Sequence, residues 1–138
     1  MLTHTERVRS NVHKHLRNCR GFTILRGENI TVPNALKNQK VLGYYANSDD
    51  SKIFITYSGL FLYPSEVFIS YFHIRTIKVD LSTKTKNEVE AIQIDYIDGQ
   101  RKYLLVKDRT TEYKFNDLWA VFGFLRGINK KCLKQKTG

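Results

Sequence analysis

The sequence predicts an α+β, mainly β fold, with six or seven antiparallel strands flanked by a helix on either side. Three observations carry this. The apolar period is helical near the amino terminus, becomes two from about residue 41, and returns to helical after residue 115. Two turn dipeptides, Ser58-Gly59 and Asp98-Gly99, each separate apolar runs of strand length. The 138 residues, 41% hydrophobic and 12% aromatic, supply one core of domain size.

The first helix spans about Thr5 to Cys19. Val8, Val12, Leu16 and Cys19 recur at steps of three and four and form a narrow apolar stripe, while Arg7, Arg9, His13, Lys14, Arg17 and Arg20 occupy the other side. Thr3 or Thr5 is the expected cap and Gly21 the expected stop. Residues 22 to 39 read as a connector, with one helical turn near Ala35 and Leu36.

Strand periodicity begins at Val41. Ile53 to Tyr57, the Ser58-Gly59 turn and Leu60 to Tyr63 predict a tight hairpin ended by Pro64. Val67 to Phe72 and His73 to Leu81 are two further candidates, and residues 82 to 88 form a polar loop. The clearest hairpin runs from Ala91 to Ile97, through Asp98-Gly99, and back over Arg101 to Val106, with Ile92, Ile94 and Tyr96 on one face. The last helix carries Leu118, Val121, Phe122 and Leu125 at helical spacing, with Trp119 beside them, Asn116 or Asp117 as cap and Gly127 as stop. Residues 129 to 138 hold Lys130, Lys131, Lys134 and Lys136 and read as a mobile basic tail. The chain therefore divides into 1–39, 40–128 and 129–138.

The formal net charge of +10 is uneven: residues 1–40 carry +6, residues 41–113 carry −1 and residues 114–138 carry +5. A field that attracts polyanions would come from the flanks, through Arg7, Arg9, Lys14, Arg17 and Arg20 at one end and Lys130, Lys131 and Lys134 at the other. No apolar run reaches membrane-spanning length and the first residues lack a signal-peptide core, so the expected compartment is the cytoplasm. Cys19 and Cys132, far apart, are expected to be reduced.

Several chemistries find no support. There is no nucleophile elbow, P-loop, dinucleotide-binding glycine turn or zincin motif, and the histidines fall at no ligand spacing, so neither catalysis, a metal nor a cofactor is expected. Asp98 is explained by its turn and Asp95 by a solvent-facing strand position. Tyr44 and Tyr45 are placed to stack nucleobases, against the simpler reading that neighbours on a strand put one ring inside and one at the edge.

The order of elements, strands followed directly by an aromatic helix, resembles the pleckstrin-homology superfold, and its bacterial variety in particular. Thr56, Tyr57, Ser58, Gly59 and Leu60 are similar to the T-x-x-G-L turn of those chains, Tyr71 to Ile77 to their isoleucine-rich strand, and Asp98-Gly99 to their acidic-glycine turn. Trp119 resembles the packing tryptophan of the family's helix. The resemblance covers about residues 40–128 and implies a bent barrel capped by its C-terminal helix, with binding rather than catalysis as its use. Lipid-binding members need basic residues around the first strand loop, where this chain has Asn47, Ser48, Asp49, Asp50 and Ser51, so phosphoinositide is not expected.

The expected function is that of a non-catalytic protein-interaction module, of the kind found in small bacterial adaptor or immunity proteins. It would bind a protein partner at a strand edge or in the groove between barrel and helix, with Tyr45, Tyr63, Phe68 and Arg75 as candidate contacts. Nucleic-acid binding by the basic flanks is the alternative, and attachment of the first helix to anionic membrane a weaker one.

Overall fold

The computed structural model describes residues 3–17, 19–25, 32–82, 89–107 and 117–137, with side chains as far as residue 129. The fold is α+β and mainly β, with two antiparallel sheets between an N-terminal and a C-terminal helix. Eight strands lie among the described residues where six or seven were expected, and they form two sheets, not one closed barrel.

Helix α1 (His4–Asn11) starts at Thr3, whose hydroxyl accepts from the Glu6 amide at 3.2 Å. It runs on as a π-helical turn, Val12–Leu16. Its narrow stripe is fully used: Val8, Val12, Leu16 and Cys19 are buried in the main core, so the helix docks on its own chain. Cys19 is buried, forms no disulfide among the described residues, and its thiol donates to the His15 carbonyl at 3.9 Å.

The expected connector contains a strand. Strand β1 (Phe22–Ile24) pairs antiparallel with β2 (Val41–Ala46), Phe22 facing Tyr45 and Ile24 facing Gly43. The pairing needs Gly43, since a Cβ there would lie 2.5 Å from the Thr23 carbonyl oxygen. A short 3₁₀ turn at Asn34–Leu36 stands where one helical turn was expected. The first sheet continues through β3 (Lys52–Thr56), β4 (Gly59–Tyr63) and β5 (Val67–Ser70), in the order β1-β2-β3-β4-β5. The β3–β4 turn is held by the Thr56 hydroxyl, which donates to the Gly59 carbonyl at 2.9 Å and accepts from the Gly59 amide at 3.1 Å.

A 3₁₀ turn, Tyr71–His73, leads to the second sheet, β6 (Ile74–Lys78), β7 (Ala91–Tyr96) and β8 (Arg101–Leu105). The β7–β8 hairpin turns at Asp98-Gly99 as its sequence predicts. Gly99 has φ +92°, and the Asp98 carboxylate accepts from the Gln100 amide at 2.9 Å.

Alternation decides what each strand buries. Ile53, Ile55, Leu60 and Ile69 of the first sheet and Ile92, Ile94, Tyr96 and Leu104 of the second point into one main core, while Phe54 and Phe61 point to the opposite face and form a second small core with Leu36. Helix α2 (Leu118–Thr137) closes the main core with Leu118, Val121, Phe124, Leu125 and Ile128, and Phe124 meets the Tyr71 ring edge-on with centroids 6.1 Å apart.

Two expectations for this helix are corrected. Phe122 is only half-buried, because the buried stripe runs through Phe124 instead. Trp119, half-buried with its ring edge-on to Phe122, packs against the core from outside, and the ring that plugs the core is Phe124. Gly127 does not end the helix, whose backbone continues to Thr137 through the segment read as a mobile tail. Gly127 and Gly123 instead bring the two helices together. A Cβ at Gly123 would lie 2.8 Å from His15 Nδ1, and one at Gly127 would overlap the Asn11 side-chain oxygen. Asn11 and His15 are one turn apart on the N-terminal helix, matching the spacing of the two glycines. Burial at this crossing, with a smaller effect from Lys14, pushes the His15 pKa below the ordinary histidine value.

Candidate binding cleft

The helices seal one side of the space between the sheets. Away from them the sheets part around a cleft of about 550 Å³. Its floor is the inward-facing row Ile53, Leu62, Val67 and Ile69, and its rim carries Tyr63, Tyr103 and Leu105, which are 45%, 56% and 47% exposed.

Local chemistry sets the rim. The β2–β3 loop turns through Asp50 at φ +70° and the β4–β5 turn through Glu66 at φ +62°, which places Tyr63 and Pro64 at the mouth. Asp49 braces the first loop by accepting from the Ser51 hydroxyl at 2.6 Å and from its amide at 3.0 Å, and it pairs with Lys107 at 3.2 Å. The Ser51 hydroxyl and amide, followed by Lys107, draw the Asp49 carboxyl down to about 2.

Asn47, 2% exposed, joins the two sheets at this corner. Its side-chain oxygen accepts from the Lys107 amide at 2.7 Å, and its side-chain nitrogen donates to the Leu105 carbonyl at 3.3 Å and to the Ser51 hydroxyl at 3.0 Å. The Ser48 amide adds a bond to the Lys107 carbonyl at 2.9 Å.

Two lysines border this region. The Lys102 ammonium lies 5.5 Å from the centroid of the Tyr96 ring on the cleft side, whereas that of Lys52 turns to the opposite face of its sheet, 5.5 Å from the centroid of Tyr44. Neither pairs with a carboxylate among the described residues. At the far end of β8, Arg101 pairs with Asp95 at 2.8 Å, the interaction that most lowers the Asp95 carboxyl.

The structure separates the residues singled out in the sequence. Tyr63 lines the cleft. Phe68, 37% exposed, stands on the outer face of β5 across from Phe61, and Arg75 is exposed on β6 in the other sheet, so neither reaches the cleft. Tyr45 is corrected: at 1% exposure it is a core residue whose hydroxyl donates to Asp117 at 2.8 Å, so no partner can reach its ring. Tyr44, its neighbour, takes the edge position and packs 5.8 Å from Phe54, so the pair divides between inside and edge. Tyr103, Leu105 and Lys102 were missed. The signal was present in the alternation of the last hairpin, where apolar residues at 103 and 105 fall opposite in phase to buried Leu104 and Val106.

Of the basic flank, Arg9, Lys14 and Arg17 are exposed and Arg7 half-buried along the docked N-terminal helix, and Arg20 is exposed in the turn that follows it. Arg9 donates to the Tyr57 hydroxyl at 2.7 Å with its guanidinium 5.9 Å from the Tyr57 ring centroid. The side chains of Lys130, Lys131 and Lys134 lie outside the described residues. Among the described residues no three His, Cys, Asp or Glu side chains converge, and no helix is long and apolar enough to cross a membrane. Comparison of the chain with protein-family models, with curated proteins and with solved structures finds no match.

Proposed function

We propose that this chain is a non-catalytic protein-interaction module of the pleckstrin-homology-like kind, which binds a protein partner at the cleft between its two sheets. The order of elements supports the fold reading. From Val41 onward, four strands are followed by three and then by the C-terminal helix, with β1 and the N-terminal helix as additions. The observation that carries the binding reading is the rim: Tyr63, Tyr103 and Leu105 expose large apolar surface around one apolar cleft, when folding alone would have favoured polar residues there. Tyrosine suits such a position because it offers wide contact area with little entropy to lose.

Affinity capture with the tagged chain from its native extract tests this, run beside a Tyr103→Glu/Leu105→Glu variant. The expected result is a near-stoichiometric protein that survives nuclease and high salt and is lost with the variant. Recovery only of salt-labile, nuclease-sensitive material would overturn it in favour of the second reading, nucleic-acid binding. That reading is supported by the exposed Arg9, Lys14 and Arg17 along one docked helix and Arg20 in the turn after it.

A further inference from the structure

We propose, resting on the reading of the cleft as a protein-binding site, that the partner supplies an extended acidic segment that adds as a strand to the free edge of β8. Hydrogen-bond parity defines that edge. The Val106 amide bonds to the Glu90 carbonyl and the Tyr96 amide to the Gln100 carbonyl, so the even-numbered residues from 100 to 106 face β7. The odd-numbered residues face away from it, as their partners confirm at one end: Leu105 offers its carbonyl, and Lys107 its amide and carbonyl, to the Asn47 corner. Between that corner and the hairpin turn, the amides of Arg101, Tyr103 and Leu105 and the carbonyls of Arg101 and Tyr103 point outward. No ladder partner covers them among the described residues, since β8 ends the order β6-β7-β8.

An extended chain laid on this edge runs beside the cleft mouth. Side chains at every second position then enter the cleft beside Lys102, opposite Leu62 and Val67, while those between them lie over Tyr103 and Leu105 at the rim. The Asn47 corner stops the segment at one end, so about three to five residues fit at a strand rise of about 3.3 Å per residue.

Charge selects the occupant. Arg101 and Lys107 are neutralised by Asp95 and Asp49, and Lys52 turns to the opposite face of its sheet over Tyr44, which leaves Lys102 as the cation facing the mouth without a carboxylate among the described residues. It favours an acidic residue in the incoming segment, in a chain of formal charge +10. It also disfavours a second copy of this chain, because pairing two β8 edges sets Lys102 near Lys102.

The test uses peptides selected from a random display library on the full-length chain, made synthetically and titrated into ¹⁵N-labelled protein. Expected are sequences alternating apolar with acidic residues. Their binding should slow hydrogen exchange at the amides of Arg101, Tyr103 and Leu105, and should weaken about tenfold on Lys102→Glu and on N-methylation of alternate peptide amides. Binding indifferent to backbone N-methylation, or leaving those three amides unprotected, overturns the proposal, as does a β8-to-β8 dimer or the absence of any selected peptide. A captured protein that depends on Tyr103 but leaves the β8 amides unprotected removes strand addition while the interaction-module reading stands. Absence of a captured protein removes that reading itself.

Discussion

The two sides of the space between the sheets differ in what covers them. On the helical side Phe124 is fully buried, Tyr71 donates to the Thr56 carbonyl at 2.9 Å, and two glycines let the helices approach to contact. On the cleft side the same alternation of side chains continues, yet Tyr63, Tyr103 and Leu105 stay exposed, and the sheets are joined by the Asn47 side chain, the Ser48 amide and the Asp49–Lys107 pair. Apolar surface brings stability where a second element covers it. Left uncovered beside a cleft, it is available to a partner.

Substitutions should separate these regions, and the largest effect belongs on the helical side. Phe124→Ala is expected to cost about 3 to 5 kcal/mol in chemical denaturation, because a fully buried ring leaves a cavity that helix and sheet cannot close. Trp119→Ala should cost clearly less, and equal losses would mean that the half-buried indole carries as much of the core as Phe124. Gly127→Leu drives a side chain into Asn11 and should cost about 1 to 3 kcal/mol, with the loss concentrated in the N-terminal helix when hydrogen exchange is followed residue by residue. At the opposite corner Asn47→Ala strips the Lys107 amide and the Leu105 carbonyl of their partner. A loss of about 1 to 2 kcal/mol is expected, limited because water reaches the rim. At the cleft itself Tyr103→Thr should change stability by no more than about 0.5 kcal/mol while abolishing partner capture, and a large drop in melting temperature would place Tyr103 in the structural core.

A pH series sharpens the contrast further. His15 has its pKa lowered by burial, so between its lowered folded value and the ordinary value of about 6.5 the unfolded chain binds more protons than the folded one. The contribution is complete above about pH 6.5 and is lost as pH falls through that window, so melting at pH 7.5 and pH 5.5 should differ more for the native chain than for His15→Gln. Asp49 behaves in the same sense at lower pH, its contribution fading only as pH falls from about 4 toward about 2.

Much of the architecture is legible in the sequence. The period-two runs placed seven strands to within a few residues, and the turns at Ser58-Gly59 and Asp98-Gly99 stand where their dipeptides predict. The stripe Val8, Val12, Leu16 marked the buried face of the first helix. Strand β1 was not legible: three residues are too few to show a period, and only pairing with β2 makes them a strand. Of the candidate contacts, Tyr63 stands at the cleft rim, Phe68 and Arg75 lie away from it, and Tyr45 is in the core, because alternation says which residues share a face and not which face is covered.

What the sequence determined by itself is therefore local: where the helical and strand periods change, which residues turn the chain, where the charge accumulates, and which side chains lie together on each element. Tertiary structure alone decided the rest. It made Gly123 and Gly127 a helix crossing, Asn47 a clasp between sheets, and Tyr103 with Leu105 the rim of a cleft. The physical reason is that covering, close approach and hydrogen-bond parity at an edge belong to pairs of elements far apart in the chain, and no window of neighbouring residues contains both members of such a pair.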